Sequence, residues 1–248
     1  MVRGHVISDD RTSSTRRGSR VFTIGDTAVN ILVLDLDEHA PADQAHLTDE
    51  ERDRIARFHR RVDRIRFATR RLLLRKILGE QLDIPGDQLE FEPGPWGKPR
   101  LKLPTTPSLD FNTSHSGRWF ALAWNFEASV GIDIEARRHL PDGSSLALRW
   151  LTRLEHDQAI KAGHDLDGDG FLRLWCRKEA VMKAAGLGLS LDPTSFSIPT
   201  DLLLAEASRV RVDPLDSSEF HLLDVTRSGW PKDVFINACV HEPSRPRP

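Results

Sequence analysis

Gly131-Ile132-Asp133-Ile134-Glu135 sets two acids two residues apart inside an apolar run. On an extended strand side chains alternate faces, so Ile132 and Ile134 point one way and Asp133 and Glu135 the other. Strand rise puts the two carboxylates about 7 Å apart on one face. Charges that close repel unless something neutralises them, and a hard divalent cation with oxygen ligands does this well. A half-exposed strand with a solvated acidic face is the plainer alternative, and this segment alone leaves both open.

The segment Phe171 to Gly186 (FLRLWCRKEAVMKAAG) clusters Phe171, Leu174, Trp175 and Met182 on one face of an amphipathic helix. Lys178 falls inside that apolar stripe, where an unpaired ammonium is costly, so it must snorkel outward or meet an anion. Glu179 and Lys183 form an i,i+4 pair on the shoulder of the stripe. They read either as an ordinary surface ion pair or as a third metal carboxylate beside a phosphate-binding lysine.

Phe111-Asn112-Thr113-Ser114-His115-Ser116-Gly117 reads as a polar turn ahead of a strand. Its hydroxyls, imidazole and open N–H groups suit phosphate oxygens, although a lone histidine in such a turn is equally a solvated residue. Gly97-Lys98-Pro99 holds a lysine in a rigid turn, again suited to a phosphate. The arginine-heavy stretch from Arg52 to Arg75 includes Arg54, Arg66 and Arg71, with Glu51, Asp53 and Asp63 as partial balance. A helical charge run of this kind is a solvated face rather than a nucleic-acid tail. Asp165 to Gly170 mimics the opening of a calcium loop, but its twelfth position is Cys176 instead of Glu. It reads as an acidic turn whose end caps the next helix.

These residues sit on elements legible from periodicity and punctuation. Val29 to Leu36 is a buried strand by its β-branched apolar run. Thr48 with Glu51 forms a capping box opening a helix through about Arg60, and a second helix runs from Asp63 to Gly79, with Gly79 as its stop. Phe91 to Leu103 is loop-rich around short extended segments. Trp119 to Phe126 and Ser129 to Glu135 read as neighbouring strands joined by a tight connection. Helices follow near Ser144 to Leu151, Arg153 to Ala162 and Gly170 to Ala185, then closing strands at Phe220 to Val225 and Val234 to Val240. Strands and helices mix without regular βαβ alternation, which predicts an α+β fold with two similar halves.

The 248 residues carry a net charge of −2, with 29% charged and 39% hydrophobic residues, the composition of a soluble globular chain. Near-neutral charge argues against bulk nucleic-acid binding. Cys176 and Cys239 are far apart and form no metal or redox spacing, which favours a reduced, cytoplasmic setting. The polar N-terminus lacks an apolar signal region, and no apolar run approaches the roughly 20 residues that span a bilayer. Membrane attachment is therefore not expected.

In order along the chain, GKP, FNTSHSG, VGIDIE and LWCRKEAVMKAAGLGL, with RFATRRLLLRKILG ahead of them, closely resemble the larger, Sfp-type class of 4′-phosphopantetheinyl transferases, from about Arg54 to Phe196. The resemblance implies an intramolecular pseudo-dimer of two α+β halves, 21–127 and 128–242. By composition, the polar, Ser/Thr/Arg-rich residues 1–20 read as a disordered leader, a departure from the family, and the proline-rich 243–248 as a tail. The active site would lie in the cleft between the halves of a monomer. It implies transfer of phosphopantetheine from coenzyme A to a serine of an apo acyl or peptidyl carrier protein, with Mg2+ (or Mn2+) required and adenosine 3′,5′-bisphosphate released. By the same resemblance Asp133, Glu135 and Glu179 bind the metal, and Glu179 or a metal-bound water is the base. Lys183 meets the coenzyme A phosphates, Ser114 and His115 the pyrophosphate and the 3′-phosphate side, and Lys98 the adenosine bisphosphate. Arg54, Arg66 and Arg71 lie where the family places cations for the 3′-phosphate. An acidic carrier helix would dock on a basic surface that includes part of Arg52 to Arg75, and the class points to secondary metabolism. A magnesium-dependent nucleotide hydrolase and a binding-only relative are the rival readings.

Overall fold

The computed structural model describes residues 19–39, 46–102, 109–198, 207–212, 215, 218–226 and 228–241. They form an α+β arrangement built on two four-stranded antiparallel sheets. The first has the spatial order β1 (Ser19–Ile24), β2 (Thr27–Asp35), β6 (Trp119–Asn125), β5 (Asp110–Ser116). The second has the order β7 (Ser129–Ala136), β10 (Val234–His241), β9 (Ser218–Asp224), β8 (Ala207–Val212). A small hairpin, β3 (Phe91–Pro93) with β4 (Pro99–Leu101), stands apart. The helices are α1 (Asp49–Ala56), α2 (Arg61–Leu82), α3 (Gly143–Trp150), α4 (Arg153–Lys161) and α5 (Asp169–Ala184).

Strand alternation explains how these pieces stack. Val29, Ile31, Val33, Ala121 and Ala123 on one face of the first sheet meet Val130, Ile132, Ile134, Ile236 and Ala238 of the second. The opposite face of the first sheet, with Leu32, Phe120, Leu122 and Trp124, covers Leu74, Ile77 and Leu78 of α2. The opposite face of the second sheet, with Phe220, Leu222 and Cys239, covers Ala180, Val181 and Ala184 of α5. The layers therefore run α2, sheet, sheet, α5. Each fully buried large apolar side chain contributes about 1.5–3 kcal/mol over leaving it exposed, which holds three such interfaces against chain entropy.

Both long helices are pinned by the same device. Thr48 and Glu51 form a capping box at the start of α1, and the Glu51 carboxylate also accepts from Arg71 and Arg75 on α2. Thr152 and Glu155 form a second capping box at the start of α4, and Glu155 pairs with Lys178 on α5. In each case a cap glutamate on a short helix anchors a cation on the long one.

Several expectations need correction. Gly79 does not end α2. The helix continues to Leu82 and stops at Asp83, which adopts a left-handed φ of 55°. Gly79 is needed because a Cβ there would meet the Ile84 carbonyl at 2.5 Å, where the chain folds back. The FNTSHSG segment is not a turn; all of it but the glycine lies in β5, an edge strand. β6 and β7 do not pair, because Asn125 Oδ1 accepts from the N–H groups of Glu127 and Ala128 and turns the chain out of the first sheet. α1 ends at Ala56, short of Arg60. The acidic turn does not cap α5 through a side chain: Gly168 is the cap, and Asp167 Oδ1 accepts from Ser144 N and Oγ of α3. Residues 19 and 20, placed in the leader, belong to β1, and β1 and β8 were not foreseen. The leader 1–18 and the tail 243–248 lie outside the described residues.

Candidate active site at the seam between the sheets

β5 and β7 are each the edge of their own sheet, and they lie side by side, parallel, with no backbone-to-backbone hydrogen bond between them among the described residues. Side chains make the joint instead. Asp110 Oδ2 accepts from Val130 N at 2.7 Å, and Asn112 Oδ1 from Ile132 N at 3.0 Å. Further along, Ser114 Oγ donates to Asp133 Oδ1 at 2.7 Å and Ser116 Oγ to Glu135 Oε2 at 3.0 Å. Lys98 closes the start of the seam, donating to Asp110 Oδ2 (2.6 Å), Val130 O (2.9 Å) and Ser129 Oγ (3.1 Å). Burial lowers the Lys98 pKa against the pull of Asp110. Its three N–H donors are all used, so its ammonium serves the joint rather than the open cleft.

α5 lies across the acidic face of β7. A Cβ on Gly131 would overlap the Ala180 carbonyl and the Ala184 N–H, so only glycine lets the helix sit this low. That approach brings Glu179 and Lys183 over the strand. Lys183 Nζ donates to Asp133 Oδ1 at 2.6 Å and to Ser114 Oγ at 3.2 Å, and it lies 3.4 Å from Glu179 Oε2. Asp133 is 4% exposed, so the solvated-face alternative fails for it, and its Oδ2 is buried without a partner. Glu135 Oε2 also accepts from Arg138 Nη1 at 2.7 Å.

The electrostatics of this cluster are coupled. Burial first, then the charges of Asp133 and Glu135, raise the Glu179 pKa, with Lys183 opposing. Burial would lower that of Lys183, but Asp133 and Glu179 outweigh it and the shift is upward. Cys176 Sγ donates to the Asp133 carbonyl at 3.3 Å, and burial pushes its thiol pKa up, so it acts as an inert apolar neighbour.

His115, next to Ser114, points to the other side of β5. It lines a cleft of about 1140 Å³ together with Arg54, Arg70, Arg71, Phe67 and Phe91. Part of the residue is open to solvent. Even so, burial, followed by Arg70 and Lys183, holds its imidazole down to about 4. Arg70 is pushed down to about 10 by burial and then by Arg54 and Arg71. It remains a cation at neutral pH, with a buried Nε that has no partner. Arg54 and Arg70 lie over the Phe67 ring, and Arg71 lies over Phe91 while donating to Glu51.

The expected residues thus divide. Asp133, Glu135, Glu179, Lys183 and Ser114 come together at the seam, and Arg54, Arg71 and His115 line the cleft on the far side of β5. Arg66 does neither; it forms a two-bond pair with Asp37 at 2.8 and 2.6 Å. The arginine run is only in part a solvated face, since Arg75 is 4% exposed and donates to the Leu89 carbonyl and Glu51. Sequence reasoning passed over Arg70, one turn beyond Phe67 on the same helix face. It also passed over Ser116, although Ser114 and Ser116 repeat the two-residue spacing of Asp133 and Glu135.

The donor set suits a hard divalent cation: three carboxylates, all oxygen, one with a buried and unpartnered lone-pair site. Among the described residues no three acidic, His or Cys side chains are gathered into a ready coordination group. Lys183 and Arg138 neutralise the acids instead.

Comparison with known proteins gives matching results for both halves. Residues 129–230 match the 4′-phosphopantetheinyl transferase superfamily, and residues 38–127 match the 4′-phosphopantetheinyl transferase N-terminal family. The chain is 32% identical over 152 residues to the 4′-phosphopantetheinyl transferase Sfp of Bacillus subtilis, covering 61% of this chain and 66% of that one. It is 32% identical over 164 residues to the B. subtilis 4′-phosphopantetheinyl transferase ffp, 66% and 69% of the two chains. It is 34% identical over 211 residues to the mouse L-aminoadipate-semialdehyde dehydrogenase-phosphopantetheinyl transferase, 80% and 68% of the two chains. The aligned parts span about two thirds of these relatives' lengths, and 61% of a relative from Synechocystis.

Proposed function

As the chain belongs to the 4′-phosphopantetheinyl transferase family, with relatives of the Sfp type, we propose that it moves the phosphopantetheine arm of coenzyme A onto a serine of an apo acyl or peptidyl carrier protein and releases adenosine 3′,5′-bisphosphate. One observation carries the reading. Strand β5 turns His115 into an arginine-lined cleft and the adjacent Ser114 onto a cluster of three acids and a lysine. A bisphosphate needs the first environment, and a pyrophosphate under attack needs the second.

Asp133, Glu135 and Glu179 would hold Mg2+, or Mn2+ in its place, which when bound supplies Lewis-acid neutralisation of the pyrophosphate oxygens. Arg54, Arg70 and Arg71 gather the 3′-phosphate charge, and His115 offers a neutral imidazole as a hydrogen-bond partner at pH 7. Lys98, engaged at the seam, supports the Gly97–Pro99 wall of that cleft and acts on the nucleotide indirectly. Lys183 lies between Asp133 and Glu179 and would turn toward phosphate oxygens as substrate enters. The carrier serine oxygen forms the new bond to phosphorus, and the bond to the 5′-phosphate oxygen of the leaving nucleotide breaks. The serine proton passes to Glu179, whose raised pKa suits a general base.

Each half of the chain contributes one four-stranded antiparallel sheet, one long helix and one Thr-x-x-Glu box, which supports reading 21–127 and 128–242 as an intramolecular pseudo-dimer with its active site between the halves. No helix among the described residues is long and apolar enough to cross a membrane. The protein is read as a cytoplasmic monomer that meets carriers of secondary metabolism. Neither nucleic acid nor a membrane surface is needed as a partner. The test is intact-mass analysis of apo carriers from peptide, polyketide and fatty-acid systems incubated with the protein, coenzyme A and Mg2+. A chelator-sensitive gain of about 340 Da, the mass of the arm transferred with its phosphoryl group, is the expected result. Hydrolysis of nucleotides without any carrier gaining mass would instead favour the hydrolase reading.

A further inference from the structure

The two acids of β7 are held in matching ways. Asp133 commits Oδ1 to a serine and a cation, Ser114 at 2.7 Å and Lys183 at 2.6 Å. Glu135 commits Oε2 to a serine and a cation, Ser116 at 3.0 Å and Arg138 at 2.7 Å. In each carboxylate the second oxygen takes no hydrogen bond from the described residues. The serines stand two residues apart on β5 and the acids two residues apart on β7, so the parallel seam delivers one hydroxyl to each acid in register.

We propose that Ser116 is a positioning residue for the divalent cation: by fixing Oε2 of Glu135 it sets the rotation of the carboxylate and leaves Oε1 for the metal. This rests on the metal reading above. Arg138 shares the same oxygen, but its side chain is 47% exposed and its charge is screened by water, so it holds the carboxylate less firmly than a hydroxyl fixed on a strand. The side-chain hydrogen bond of Ser116 goes to Glu135, and Ser116 is not among the residues that line the nucleotide cleft. Hydroxyl donors that orient a metal's ligands typically govern 10–100-fold in affinity.

Ser116→Thr and Ser116→Val separate the hydroxyl from the shape of the strand, since the two side chains are nearly isosteric and both favour β structure. Mn2+ is titrated into the full-length protein and free ion is followed by electron paramagnetic resonance, with KM for coenzyme A measured alongside. The expected result is wild-type-like Mn2+ affinity for the Thr variant, a loss of about tenfold or more for the Val variant, and KM for coenzyme A at saturating Mn2+ unchanged in both. Equal Mn2+ affinities for Thr and Val, whether high or low, overturn the role of Ser116 while the transferase reading stands. A wild-type protein that binds neither Mn2+ nor Mg2+ overturns both.

Discussion

Lys178 Nζ lies 2.9 Å from Glu155 Oε1, and neither side chain exposes any surface. The same ammonium donates to the Pro193 and Phe196 carbonyls at 2.7 and 2.8 Å, so its three N–H groups are satisfied. Glu155 in turn accepts from Thr152 N and Ile198 N, both at 2.7 Å. The cation stranded in an apolar stripe thus meets an anion, but one on α4 rather than in the acid cluster. Lys178→Met leaves Glu155 buried without its counter-charge and should cost about 3–5 kcal/mol. Thermal unfolding should show a Tm lower by roughly 10 °C, with part of the loss recovered in Lys178→Met/Glu155→Gln, which removes the stranded charge and keeps an acceptor for the backbone N–H groups. Full stability and full turnover in the single variant would refute this account.

Glu179 should give the enzyme a pH-dependent demand for metal. Its folded pKa is raised, so the stability it contributes is complete below the unfolded carboxylate value and is lost as pH rises through the folded value. A divalent cation at the site neutralises that charge. Added Mg2+ should therefore raise Tm more at pH 7 than at pH 4.5, and Glu179→Gln should abolish the difference. The same variant should lower kcat by about 10²–10⁴-fold, read by carrier mass gain, if Glu179 is the base.

His115 should act as a proton counter for the nucleotide. Free, its imidazole titrates at about 4, held down by burial and by Arg70 and Lys183. An anion bound among those cations favours the protonated ring and raises its pKa. The His115 contribution to affinity for adenosine 3′,5′-bisphosphate should then be complete below about pH 4 and be lost as pH rises through the bound-state value, on top of the titration of the ligand's own phosphates at about pH 6. Proton NMR of the ring with and without ligand measures both ends. A ring pKa unmoved by the bisphosphate would place His115 outside the phosphate site.

Lys98→Met separates the two roles open to that lysine. With Asp110, Ser129 and Val130 as its partners, removal leaves the Asp110 carboxylate without its counter-charge, though still accepting from Val130 N and Ser129 Oγ, and should lower Tm by several degrees, on the order of 1–3 kcal/mol. KM for coenzyme A should stay within about twofold, far short of the tenfold that 1.4 kcal/mol of lost phosphate contact would produce. A large rise in KM at unchanged Tm would restore the direct contact that the family resemblance implied.

What could be read from the chain follows a physical line. Glu179 and Lys183 are one turn apart on a helix, and Asp133 and Glu135 alternate on a strand, so local geometry alone put each pair on one face. The Thr48–Glu51 box was visible for the same reason. Where Lys98 and Arg66 go depends on Asp110 and Asp37, 12 and 29 residues away, and no local period reports that. β5 was taken for a turn because its Asn-Thr-Ser-His-Ser composition is that of a loop; those polar side chains are there to reach across to β7. β1 and β8 carry arginine and serine at strand positions, which hid their alternation.

The joint between β5 and β7 also governs how this chain can be cut and recombined. Backbone pairing accepts almost any side chain, whereas this junction is written in Asp110, Asn112, Ser114 and Ser116 against a glycine-bearing strand. A chimera that takes its first half from one relative and its second from another would inherit a working junction only if those four residues travelled with a compatible β7. Two well-folded halves that mismatch there would associate through the sheet faces yet misalign the acids, giving a stable protein with no activity.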